Sequence, residues 1–145
     1  MSKVVSPARL RRRARVRLLQ KVQHALPGGV LLGEGVQSIR EGVRGWHFAL
    51  SVTEIATCAI VFIALVRAIR GLRAELKAGG VPHLHVGIDW TDIFLGAMLF
   101  TEAWAKYLEN GHIQRPTILL AVVMLFLGVF GGKFIAWKHR DTDKA

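Results

Sequence analysis

Residues 116–132 read PTILLAVVMLFLGVFGG, seventeen positions without a charge and rich in Leu, Val, Phe and Ile. A helix over Pro116–Trp137 is about 33 Å long at ~1.5 Å per residue, and the hydrocarbon core of a bilayer is about 30 Å thick. Lys133 falls about one turn from the end of that helix, close enough for its ammonium to snorkel to the headgroups. Pro116 suits a first helical turn and Trp137 suits a membrane interface. The stretch therefore predicts a membrane span, and an all-α integral membrane protein around it.

Two further apolar clusters, Trp46–Ile69 and Val86–Leu108, have similar length. The 145 residues suffice for one domain, and 52% are hydrophobic. The segment Val22–Ile39 is ambiguous, because His24, Pro27, four glycines and Glu34 interrupt it. An internal echo favours a span. Gly28-Gly-Val-Leu-Leu-Gly-Glu34 parallels Gly96-Ala-Met-Leu-Phe-Thr-Glu102, and each is followed by a polar turn and an apolar helix.

Charge placement points the same way. With four spans, one side carries 15 Lys and Arg, from the N-terminus, the Arg67–Leu84 link and the tail; the other carries 4, Arg40, Arg44, Lys106 and Arg115. The positive-inside rule then places both termini in the cytoplasm of a cell whose plasma (inner) membrane holds the protein. The expected architecture is a four-helix bundle of two tandem hairpins, with spans 22–39, 46–69, 86–108 and 116–137. A basic helix over 1–21 precedes it, and a polar tail over 138–145 follows. The competing architecture has three spans and a re-entrant 22–39.

The net charge is +10, and eight of the twenty basic residues lie in the first 21 positions. Arg9, Arg11, Arg12, Arg13, Arg15 and Arg17 surround a narrow stripe containing Leu10, Ala14 and Leu18. Beside membrane spans this pattern predicts a helix on anionic phospholipids, or one docked on a partner. No nucleic-acid motif accompanies it. The N-terminus lacks the short basic region and immediate apolar core of a signal peptide. Gly29 and Gly33, and Gly128, Gly132 and Ala136, recur every four residues and predict close helix packing, within the chain or with other membrane subunits.

Glu34, Glu54, Asp92 and Glu102 fall within the expected spans, where an ionised carboxylate is costly. They predict either a structural polar network or a proton or cation path. His83-Leu-His85 with Asp89 has the composition of a metal cluster without its conventional spacing. His24, His47 and His112 are candidates for a tetrapyrrole ligand, but no CxxCH motif supports haem attachment. No cofactor is expected from these fragments; metal and tetrapyrrole binding remain alternatives.

Enzyme signatures are missing. GGVLLGEG lacks the Lys-Ser/Thr ending of a phosphate loop. Ser38 and Ser51 lack a nucleophile elbow. Cys58, the single cysteine, lies about 16 Å along a helix from His47. The sequence thus predicts a non-catalytic accessory subunit that packs against a larger membrane complex, such as an energy-transducing one. Its main rival is a small transporter or channel using the intramembrane carboxylates. The two differ in one structural respect: inward convergence of Glu34, Glu54 and Glu102 on a hydrated cavity favours the transporter.

Overall fold

A computed structural model describes residues 7–84 and 86–140, the last three by backbone alone. Every regular element among them is helical: α1 (Pro7–Val22), α2 (Ala25–Arg40), α3 (Trp46–Lys77), α4 (Trp90–Asn110), α5 (Arg115–Phe126) and α6 (Gly132–Arg140). A π-helical turn, Leu127–Gly131, joins α5 to α6. The helical part of the basic N-terminal segment thus begins at Pro7. Positions 1–6 of the expected 1–21 helix, and the end of the 138–145 tail, lie outside the described residues.

Local chemistry explains the boundaries. Pro27 sits in the first turn of α2, where its missing N–H has no intrahelical partner to lose. Gly42 and Gly45 turn the chain into α3 with φ of 76° and 65°, in the left-handed region that glycine enters without a Cβ clash. The Asp89 side chain caps α4 by accepting the Thr91 N–H at 3.0 Å. Gly111 ends that helix with its own N–H bonded to the Tyr107 carbonyl at 2.9 Å.

Three boundaries differ from those expected. The first segment is helical from Ala25, not Val22, because the chain breaks at Gln23–His24. Helix α3 continues past Ile69 to Lys77, since nothing before Gly79 stops it; Arg67, Arg70 and Arg73 therefore lie on a helix rather than in a link. The segment expected from Val86 becomes helical only at Trp90. Val86 and Gly87 pass against Gly132, where a Cβ would lie 2.4 Å from the Gly87 carbonyl oxygen.

Two helical hairpins, α2–α3 and α4–α5, meet through α2 against α4, and α1 lies on α2 and α3. Leu31, Val61, Leu95, Leu99, Ala121 and Met124 form the apolar centre. Small residues bring the helices together. A Cβ on Gly35 would sit 2.8 Å from the Ser51 carbonyl oxygen, and one on Gly96 would sit 3.0 Å from the Ala121 carbonyl oxygen. Gly128 lies equally close to the backbone of Asp89 and Ile93. Gly29 and Gly33 have open space around them, so on α2 the packing glycines are Gly28 and Gly35, one face round from the expected pair. Ala136 is half-buried.

Two helices are long and apolar enough to cross a membrane: α3, and the α5–α6 rod over Arg115–Trp137. Only 22% of the apolar window of each is buried within the protein. Phe62 is 64% exposed and Leu119 67% exposed. A soluble protein rarely leaves such continuous apolar surface to water. Helices α2, with 16 residues, and α4, with Asp92, Glu102, Lys106 and Glu109, do not reach the same standard of length and apolarity.

Candidate functional site

The bundle has two polar centres, one at each end of the apolar core. The first lies toward the α2–α3 and α4–α5 turns. Glu34 on α2, Glu54 on α3 and Glu102 and Lys106 on α4 come together there. Lys106 lies one helical turn beyond Glu102, so both side chains leave the same face of α4. The Lys106 ammonium donates to Glu34 and lies 3.4 Å from Glu102. The two glutamates at matching positions of the internal echo therefore share one cation.

Glu54 is fully buried. Neither of its oxygens has a hydrogen-bond donor among the described residues. Its interacting neighbour is another carboxyl group, Glu102. Gly35 allows this arrangement, because a side chain there would meet both the Ser51 carbonyl and the Glu54 carboxyl. A cavity of about 250 Å³ leads to the cluster, lined among others by Gln37, Glu41, His47, Glu102, Lys106 and Glu109. At its mouth the His47 Nδ1 lies 2.9 Å from Glu109, and Trp46 stacks on the His47 ring at 3.7 Å between centroids.

The second centre is at the opposite end, where α1 breaks into α2. His24 is 5% exposed and Asp92 1% exposed. His24 Nε2 lies 2.9 Å from Asp92 Oδ1 and 3.6 Å from Asp89 Oδ2. The Gln23 amide donates to the other Asp92 oxygen at 2.8 Å. The π turn fixes this end of α4: such a turn breaks the α-helical ladder and leaves a carbonyl for another donor. The Asp89 N–H takes the Gly128 carbonyl at 2.8 Å.

His24 and Asp89 are helix N-cap residues, outside the helices themselves. Burial disfavours the His24 imidazolium, but the adjacent carboxylates of Asp89 and Asp92 outweigh it and raise its pKa to about 9. Asp89 is held well below the usual carboxylate range, chiefly by its bond to His24 and against the effect of burial.

The other expected residues are dispersed. His83 is exposed and His85 lies outside the described residues; Asp89, expected beside them, faces His24 instead. His112 is exposed, with its backbone N–H on the Asn110 side chain. His47, the other histidine proposed as a tetrapyrrole ligand, pairs with Glu109. Arg9, Arg11, Arg12 and Arg15 are exposed, whereas Arg13 is half-buried and Arg17 is half-buried against Glu75. Asp92 is buried against His24 and Gln23, apart from the other three carboxylates expected within the spans.

Sequence reasoning missed Lys106 and Gln23. Lys106 was recoverable from its i,i+4 spacing to Glu102. Gln23 carries no such signal, since its partner Asp92 is 69 positions away. No protein-family model, curated protein or solved structure matches the chain.

Proposed function

We propose that the chain is a small multi-pass membrane protein that binds and releases protons at the Glu34–Glu54–Glu102–Lys106 cluster. In this reading all four of α2, α3, α4 and α5–α6 cross the bilayer. The charges of α2 and α4 do not oppose insertion, because Glu34, Glu102 and Lys106 turn toward one another, Asp92 turns toward His24, and Leu26, Leu32, Phe94, Phe100 and Trp104 are left outward. Charge bias puts α1 and both termini on the cytoplasmic side of a plasma membrane and the 250 Å³ cavity on the other.

The observation that carries the proposal is Glu54, fully buried, without a donor among the described residues, and next to the carboxyl of Glu102, which itself lines a polar cavity. Two carboxyl groups in that position share a proton readily and are costly when both are charged. A proton suits the site better than a metal cation, because the Lys106 ammonium already stands between Glu34 and Glu102. Leu31, Leu95 and Leu99 seal the far side. Access in this conformation is then from one face only, so conduction requires the two faces to open in turn, as in an alternating proton uniporter rather than an open pore.

The accessory-subunit role expected from composition is the competing reading. Proteoliposomes with an internal pH dye and an imposed potassium diffusion potential distinguish the two. Proton entry above that of empty vesicles is expected for the natural chain, falling to background in Glu54→Gln and Glu102→Gln. If the natural chain gives no flux and co-purifies with a larger membrane assembly, the accessory role replaces the proposal.

A further inference from the structure

The centre at the α1–α2 break has a different chemistry from the carboxyl cluster. We propose that His24, Asp89 and Asp92 bind one divalent transition-metal cation, with Zn²⁺ or Mn²⁺ best matched. The three donor atoms lie within 4.8 Å of one another. Asp89 and Asp92 are three positions apart at the start of α4, but His24 comes from a distant part of the chain, so helix periodicity alone does not complete the group.

Hydrogen-bond geometry separates this site from an ordinary polar contact. Although His24 Nε2 and Asp92 Oδ1 are 2.9 Å apart, neither atom has an aligned hydrogen-bond partner among the described residues. Both are buried. Two donors that each hold a metal at about 2.1 Å stand roughly 3.0 Å apart at a right angle and roughly 3.4 Å apart at a tetrahedral angle. The observed separations from Nε2 are 2.9 Å and 3.6 Å.

The surrounding donors are arranged to suit. On each carboxylate one oxygen is held by the protein and the other is turned inward. Gln23 holds Asp92 Oδ2 and the Thr91 N–H holds Asp89 Oδ1. Outer bonds of this type orient metal ligands and strengthen their hold on the ion. His24 releases its proton as the metal binds, and two carboxylates with the neutral imidazole then bring a divalent ion to zero net charge, which favours it in a buried setting. A mixed nitrogen and oxygen donor set suits zinc and manganese better than calcium, which takes six or more oxygens.

The test uses the full chain in mild detergent, stripped with EDTA and titrated calorimetrically with zinc chloride or manganese chloride. Thermal unfolding is followed in parallel. One equivalent is expected to bind and to raise the unfolding temperature. His24→Ala and Asp92→Asn should abolish stoichiometric binding, and His83→Ala and His112→Ala should preserve it. Gln23→Ala should retain the fold and weaken binding by about tenfold or more.

A folded natural chain that binds neither metal stoichiometrically overturns the proposal. Binding that survives in His24→Ala also overturns it. If Asp92→Asn fails to fold, Gln23→Ala decides: weaker binding supports the site, and unchanged affinity overturns it. Proton flux is measured at the other end of the bundle, so failure here leaves the carboxyl-cluster reading standing.

Discussion

Lys106 is the residue on which the turn-side centre depends. Its ammonium serves Glu34 and Glu102 together, and the three side chains are largely buried. Removing one member of a buried pair costs more than the pair contributes, because the remaining charge loses its compensation. Lys106→Met is expected to lower stability by about 3 kcal/mol, the low end for buried pairs because the adjacent cavity admits water. Lys106→Met combined with Glu34→Gln should recover part of that loss. Unfolding in mixed micelles by a graded denaturing detergent measures both; equal stability of natural chain and single variant would count against the shared-cation geometry. The sequence disclosed these acidic residues, since carboxylates inside apolar runs stand out. It did not disclose their common cation, because Lys106 in isolation reads as the start of a polar turn.

At the level of helices, the close approach of α2 and α3 rests on one glycine. A Cβ at Gly35 would press on backbone at Ser51, which cannot move aside as a flexible side chain would. Gly35→Ala is expected to cost about 1–3 kcal/mol, the usual range for overpacking. Gly33→Ala meets nothing within 4 Å and should be neutral or stabilising by up to ~1 kcal/mol through helix propensity. Thermal unfolding of the two variants compares them directly, and an equal loss in both would refute the assignment. The four-residue recurrence of Gly29 and Gly33 was legible, but the face they occupy was not. Glycines crowd α2, and a stripe on either side satisfies the same spacing. Capping was easier to read: Gly111, Gly79 and Pro116 mark helix ends by backbone chemistry that needs no knowledge of neighbours.

For the molecule as a whole, the apolar segments were legible because lipid-facing surface requires long runs of Leu, Val, Ile and Phe. The joining of His24 to Asp89 and Asp92 was not, because it is a product of tertiary packing between the two hairpins. The proposed four crossings would set the Arg9–Arg15 face and the Gly79–Pro82 link on one side of the bilayer. Reporter tags at the two termini should therefore report the same compartment, and a protease should cut near Gly79–Pro82 only from that compartment. Termini in opposite compartments would exclude the four-crossing arrangement.

The π turn at Leu127–Gly131 has a consequence for the final helix. Such a turn takes up one extra residue by widening, so deleting one residue there would restore ordinary winding and leave the final helix on nearly its present heading. A deletion within α5 has no such slack and would rotate everything beyond it by about 100°, carrying Gly132 away from the Gly87 backbone. The nine-residue final helix thus keeps its direction through a change of length at the wide turn and loses it through the same change one turn earlier.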